Sequence, residues 1–253
     1  MPDDVRHGEH TLVIGGTKGI GLCFVGLLAS AGHLVSVIGR AAPSKGLPTG
    51  DVHHWPVDLL DHDRLSRALS EVVERNGKLH HLVFFQRYRG KGEGWAGEIE
   101  TSLTATRMVI ERVSNHFDRS NASIVLVSSI NAHLISPNLP LGYHVAKAGL
   151  VQMVRYYAVT LGTKGIRVNS ISPGTVLKEE SRRAYLQNEK LMNLYRRLTP
   201  LERMGTAEDV AHVVEFLCSP KSSFLTGQDI VVDGGLSLQL QEALVVRLEA
   251  GQT

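Results

Sequence analysis

Apolar positions along this chain fall into two kinds of run. Short, β-rich stretches occur at Thr11–Ile14, Leu34–Ile38, Val52–Val57, Leu82–Phe85, Ser123–Val127, Arg167–Ile171 and Asp229–Val232. Most are continuously apolar rather than alternating, which is the pattern of strands covered on both faces. Between them lie longer stretches with helical character: Ile20–Ala31, Asp61–Arg75, Ile99–Phe117, Tyr143–Leu161 and Ala207–Leu217. Strand and helix alternate over the whole length, which predicts an α/β fold with a doubly wound parallel sheet in three layers. No linker or repeat interrupts the pattern, so residues 1–253 are read as a single domain.

Composition narrows the classes. Of 253 residues, 43% are hydrophobic and 21% charged, the proportions of an ordinary globular domain. A net charge of +2 is too small to point to nucleic acid or membrane partners. Cys23 and Cys218 lie in apolar surroundings without metal-ligand spacing, and read as buried thiols of a reducing compartment. One uncharged stretch, Gly19 to Gly39, imitates a membrane span, but "SAGH" at Ser30–His33 splits it into a helix and a strand. The charged start "MPDDVRHGEH" does not read as a signal peptide, so a cytoplasmic protein is expected. The pairs His53–His54 and His80–His81 place neighbouring side chains apart on a strand, and no metal site is expected from them.

Two motifs point to chemistry. "LVIGGTKGIG" places Gly15, Gly19 and Gly21 at the carboxyl end of the first strand and the opening of the first helix. Ligands of doubly wound sheets bind there, and a helix N-terminus attracts anions that glycine lets come close. A mere turn is the alternative. "GYHVAK" sets Tyr143 and Lys147 four residues apart near a helix start, on one face and one turn apart. A lysine ammonium beside a phenol favours the phenolate and lowers a pKa that is otherwise about 10. Such a pair can exchange a proton with a substrate oxygen near neutral pH.

With the strand end "IVLVSSINA" and the later "IRVNSISPGTV" and "LTGQDIVVDGG", these motifs resemble the short-chain dehydrogenase/reductase family, from about Thr11 to Gly235. The resemblance implies a Rossmann-type sheet and a nicotinamide dinucleotide held by Gly15, Thr17, Lys18, Gly19, Ile20 and Gly21. It assigns Ser129 as the serine that hydrogen-bonds the substrate carbonyl, Tyr143 as the general acid in reduction, and Lys147 as the residue that lowers its pKa and holds the nicotinamide ribose. The serine-to-tyrosine interval is one residue longer than the family's usual one, with Ser128 as the stand-in for Ser129. Pro173, Gly174 and Val176 match the segment holding the carboxamide end of the cofactor, and Asp58 matches the aspartate that meets the adenine. Where NAD-preferring members carry an acid after strand two, this chain has Gly39 and then Arg40, with Lys18 on the same side. Guanidinium suits a 2′-phosphate, so NADP(H) is the expected cofactor.

The chain also departs from the family. Phe84, Phe85, Gln86 and Arg87 replace the usual Asn-Asn-Ala-Gly, Ser102 replaces an asparagine of the proton relay, and Lys178 stands where a threonine contacts the cofactor. The charged stretch Lys178 to Arg197 resembles the family's substrate lid, and residues 236–253 form a longer tail that could face a partner. Arg87, Arg89 and Lys91 follow the fourth strand. Arg87 or Arg89 would either bind a carboxylate or phosphate of the substrate, or Arg87 would turn away to pair with Glu179 or Glu180. The leading expectation is an NADP(H)-dependent oxidoreductase reducing a carbonyl or oxidising a secondary alcohol, acting as a homodimer or homotetramer as is usual in the family. Enoyl reduction is disfavoured, because those relatives separate tyrosine and lysine more widely. A cofactor-binding regulatory or assembly protein, and a redox-assisted epimerase or dehydratase, remain as alternatives.

Overall fold

The strand β1 (His10–Ile14) runs up the middle of a seven-stranded parallel sheet, between β2 (Leu34–Gly39) and β4 (His81–Phe84). This is a computed structural model, and it describes residues 8–44, 46–90, 94–177, 185 and 187–250. Outward from β2 lies β3 (Val52–Pro56), and outward from β4 follow β5 (Ser123–Val127), β6 (Arg167–Pro173) and β7 (Asp229–Val232). The order β3-β2-β1-β4-β5-β6-β7 reverses direction between β1 and β4, which opens a crevice at the carboxyl ends of those two strands.

Side chains of successive strand residues point to opposite faces, and each face has its own helices. Leu12, Ile14, Ile38, Phe84 and Leu126 bury one face beneath α2 (His62–Asn76), α4 (Ala105–Val113) and α5 (Leu141–Gly162). Val13, Val37, Val83 and Val125 bury the other beneath α1 (Gly19–Ser30) and α7 (Ala207–Cys218). The sheet is thus the middle of three layers, as the unalternating apolar strands predict. Cys218 lies in the second face, where burial pushes its thiol up to about 12, whereas Cys23, expected as buried, is only half-buried, and desolvation still raises it.

One helix differs from expectation. The stretch expected as Ile99–Phe117 begins earlier, as α3 (Gly94–Ile99), widens into a π-turn at Glu100–Thr104, and ends as α4 at Val113. The chain leaves the helix because Phe117 turns into the core and pairs with Leu79, whose N–H donates to the His116 carbonyl at 2.9 Å. At the other end of the chain, α8 (Gln241–Ala250) folds back on α6 (Glu189–Leu198), and the Arg197 guanidinium donates to the carbonyls of Arg247 and Leu248. The described part of the tail thus contacts its own chain.

The histidine pairs bond to the sheet and its connections. His53 pairs with Asp51 at 3.3 Å while His54 Nε2 bonds the Gly39 carbonyl. His80 Nδ1 accepts the His10 N–H, whereas His81 is buried between Glu9 Oε2 (3.0 Å) and Ser123 Oγ (2.9 Å). Among the described residues no group of three His, Cys, Asp or Glu side chains could hold a metal ion, and no helix is long and apolar enough to cross a membrane.

Candidate active site

The glycine loop follows β1 directly. Gly15 adopts φ +84°, and a Cβ there would lie 2.7 Å from the Gln86 backbone nitrogen, so this close approach of β1 to the β4 loop requires glycine. A Cβ on Gly21 would meet the Gly15 carbonyl oxygen at 2.5 Å. Gly19 has φ +54° and open space beside it. α1 begins here with Lys18 at its N-cap and no side-chain cap hydrogen bond, so the cap residue's side chain does not occupy the first backbone N–H groups of the helix. That is the geometry of an anion site.

A cleft of about 590 Å³ opens beside the loop, lined among others by Gly15, Thr17, Lys18, Arg40 and Asp58. Its size suits a small-molecule ligand. A Cβ on Gly39 would stand 3.0 Å from Thr17 Cγ2, so Thr17 packs where an acidic side chain after β2 would begin. The cleft carries cations at Lys18 and Arg40, and Arg87 and Arg89 from the β4 loop line it as well. Asp58 Oδ1 accepts from the Leu60 N–H at 3.1 Å, which turns the chain after β3. The residues present fit a phosphate-bearing dinucleotide. Ile20 packs partly buried against the second core, and Gly21 lies against the Gly15 carbonyl.

A second cluster stands at the carboxyl end of β5, where α5 crosses it. Ser128 Oγ donates to the Lys147 carbonyl at 2.8 Å, which ties α5 to the strand. Lys147 is 4% exposed, and its Nζ donates to the Val127 carbonyl at 2.9 Å. Burial lowers its pKa to about 8, with Glu98 opposing that shift and Arg87 adding to it. Ser129 Oγ accepts from both the backbone N–H and the Nδ2 of Asn131, each at 3.2 Å. With its lone pairs so engaged, the Ser129 hydroxyl proton is left to donate elsewhere. Tyr143 lies in the first turns of α5, with Lys147 Nζ 5.7 Å and Arg87 Cζ 4.9 Å from its ring centroid.

Pro173 ends β6 one strand further along, and Gly174 donates its N–H to Val232 at 3.0 Å. A Cβ on Gly174 would stand 2.6 Å from Asp233 Cβ, and Val176 forms an isolated bridge with Gly205. The structure thus brings Gly15, Thr17, Lys18, Arg40 and Asp58 to one cleft. It gathers Ser129, Tyr143 and Lys147 at β5 and α5, and places Pro173, Gly174 and Val176 beyond β6. Arg87 joins the first two groups, lining the cleft and lying on Tyr143. Lys178, Glu179, Glu180 and Lys91 lie outside the described residues, as does most of the expected lid before α6.

Sequence reasoning missed Glu98 and Asn131 as members of the site. Gln86 Nε2 donates to Thr106 Oγ1 at 2.7 Å, tying the β4 loop to α4. A charged residue at Glu98, amid small and apolar neighbours, was the one visible signal for the first.

A parallel sheet with its glycine loop, cationic cleft and buried tyrosine–lysine pair defines a dinucleotide-binding oxidoreductase fold. A family model described as Enoyl-(Acyl carrier protein) reductase matches residues 15–237. The chain is 31% identical over 245 residues to the 3-oxoacyl-[acyl-carrier-protein] reductase FabG of Thermotoga maritima, covering 90% of this chain and 98% of that one. It is also 31% identical over 241 residues to the Probable galactose dehydrogenase GalD of Rhizobium meliloti, covering 89% and 93%. A solved short-chain type dehydrogenase/reductase from Mycobacterium ulcerans superposes with a TM-score of 0.80 at 29% identity, over 93% of this chain and 92% of that one. The chain belongs to the short-chain dehydrogenase/reductase family, whose members are oxidoreductases of small molecules that use nicotinamide cofactors.

Proposed function

We propose that this protein is an NADP(H)-dependent oxidoreductase that reduces a carbonyl, or oxidises a secondary alcohol, at a Ser129–Tyr143–Lys147 site. The observation that carries the reading is the buried Lys147 ammonium 5.7 Å from the ring of Tyr143, a ring that also carries Arg87 from the lining of the glycine-loop cleft. Bound NADPH supplies the hydride, and the protein's own residues do the rest. Ser129, its hydroxyl steered by Asn131, donates to the substrate oxygen. Tyr143 gives that oxygen its proton, and Lys147 offsets the negative charge the phenol acquires. Lys18 and Arg40 would hold the 2′-phosphate, while Asp58 would meet the adenine. Pro173, Gly174 and Val176 would hold the carboxamide end.

The four-residue tyrosine–lysine interval supports ketone rather than enoyl reduction. Arg87 and Arg89, both lining the cleft, support a substrate carrying a carboxylate or phosphate. We read the chain as one domain with a core over about 11–235 and an extension at 236–253, acting in the cytoplasm as a homodimer or homotetramer. Thermal stability measured against NADPH and NADH, followed by a panel of neutral and acidic ketones, tests the reading. Stabilisation by NADPH with turnover of at least one ketone supports it. Binding with no turnover of any carbonyl or alcohol would favour a regulatory protein instead.

A further inference from the structure

Glu98 is a carboxylate buried beside the site, 4% exposed, and its Oε2 has no hydrogen-bond partner. It reaches this place because α3 packs closely on the start of α5. A Cβ on Gly142 would lie 3.0 Å from Trp95 Cα and 3.5 Å from Glu98 Cβ, so only glycine before Tyr143 admits α3. Glu98 is therefore seated against the same first turn of α5 that presents Tyr143.

Its surroundings are cationic. The charged groups bearing on Glu98 are Arg87, from the β4 loop, and Lys147, from α5. Those bearing on Lys147 are Glu98 and Arg87. Burial raises the Glu98 pKa, while the two cations and the Ser102 hydroxyl oppose that rise. Ser102, in the π-turn, is itself buried and makes no well-formed hydrogen bond. Both cations also lie against the Tyr143 ring. A buried ammonium without a counter-ion tends to lose its proton, and a neutral amine cannot stabilise a phenolate.

We propose that Glu98 is the counter-ion that keeps Lys147 an ammonium, that Arg87 opposes it, and that their balance sets the pH range over which Lys147 holds its proton beside Tyr143. This rests on the Ser129–Tyr143–Lys147 reading and adds to it a positioning residue on α3. Glu98 acts through Lys147 and need not touch the substrate.

The two charges push Lys147 in opposite directions, and that gives the test its sign. Full-length protein is labelled with ¹³C at lysine Cε, and the Lys147 resonance is identified by its loss in Lys147→Arg. Its titration is then followed in the wild type, Glu98→Gln, Glu98→Asp and Arg87→Gln. Glu98→Gln should lower the midpoint from about 8 by about one pH unit or more. Glu98→Asp should restore part of the shift, and Arg87→Gln should raise the midpoint. The basic limb of the kcat profile should move the same way in each variant. A midpoint unmoved in Glu98→Gln, or moved in the same direction by both charge removals, overturns the proposal. If Glu98→Gln does not fold, Arg87→Gln at its exposed position decides: a raised midpoint supports the proposal, and an unchanged one overturns it. The resonance needs no turnover, so failure of the underlying reading shows separately, as near-normal activity in Tyr143→Phe.

Discussion

The Arg87 guanidinium lies over the ring of Tyr143, with Cζ 4.9 Å from the ring centroid. It therefore points into the site, where the family carries a small residue. A guanidinium over an aromatic face gains about 0.5–1 kcal/mol where solvent still reaches it, which holds it in place without consuming its hydrogen bonds. Those donors remain for an anion. Ketones bearing a carboxylate or phosphate should therefore outperform neutral analogues. Arg87→Ala or Arg89→Ala should raise KM for the acidic ketones by about tenfold or more, from the roughly 1.5–3 kcal/mol of a charged hydrogen bond. KM values for neutral ketones should hold steady; an equal rise for both classes would refute the anion site.

Arg40 and Lys18 flank the cleft beneath a β2 end that holds no acid. NADPH should bind at least about tenfold better than NADH, on the strength of one charge-assisted hydrogen bond to the 2′-phosphate. Arg40→Ala should weaken NADPH and leave NADH nearly unchanged, as read by calorimetric titration of each cofactor. Equal loss for both would refute the role.

Tyr143→Phe removes the proposed proton donor and keeps the ring on which Arg87 rests. Turnover should fall by about 10²–10⁴-fold, the usual worth of general-acid catalysis. NADPH binding should survive, and so should the melting temperature, because the hydroxyl alone is lost. Both are measurable on one preparation by steady-state kinetics and thermal shift.

Gly15 joins β1 to the β4 loop at a positive φ, with the Gln86 backbone in the place of any side chain. Gly15→Ala should destabilise the fold by about 1–3 kcal/mol, the cost of a strained left-handed residue, before any effect on cofactor is counted. Urea unfolding without ligand reads the first effect, and NADPH titration reads the second.

His10 supplies a pH dependence remote from the site. Its ring is 2% exposed and bonded to Ser36 Oγ at 2.8 Å, and burial lowers its pKa from 6.5 to about 4. The unfolded chain takes up a proton near pH 6.5 that the folded chain refuses. Stability from this group is thus complete above about 6.5, declines as pH falls towards about 4, and changes no further below. The decline is on the order of 3 kcal/mol. Burial lowers His81 as well, which adds to the same trend. Unfolding by urea at pH 7 and pH 4.5 checks it, and His10→Gln should flatten the difference.

What could be read in advance followed the strength of the local signal. Continuous apolar runs such as Leu12–Ile14 and Ile124–Leu126 need cover on both faces, and the sheet provides it with the alternation visible in Leu12, Val13 and Ile14. The glycine loop and the tyrosine–lysine interval were equally legible, because each is a short-range pattern. Glu98 was not, since its meaning depends on Gly142 letting α3 approach α5. Asn131 was hidden for the same reason, its amide being defined by Ser129 on one side and Ser136 on the other. The π-turn that carries Ser102 leaves no signature in hydrophobic periodicity, because widening one turn keeps the same face buried.

The latch between Arg197 and the end of α8 is made to the carbonyls of Arg247 and Leu248, some 50 residues on. Main-chain oxygens are the same whatever side chains they carry, and the last ones of a helix attract a cation. Mutational drift along the outer face of α8 is therefore nearly free, while selection for a docked tail falls on Arg197 in another helix and on Gln239, whose Nε2 donates to the Leu198 carbonyl. Diverging lineages should then scramble the lettering of this segment long before they lose its position.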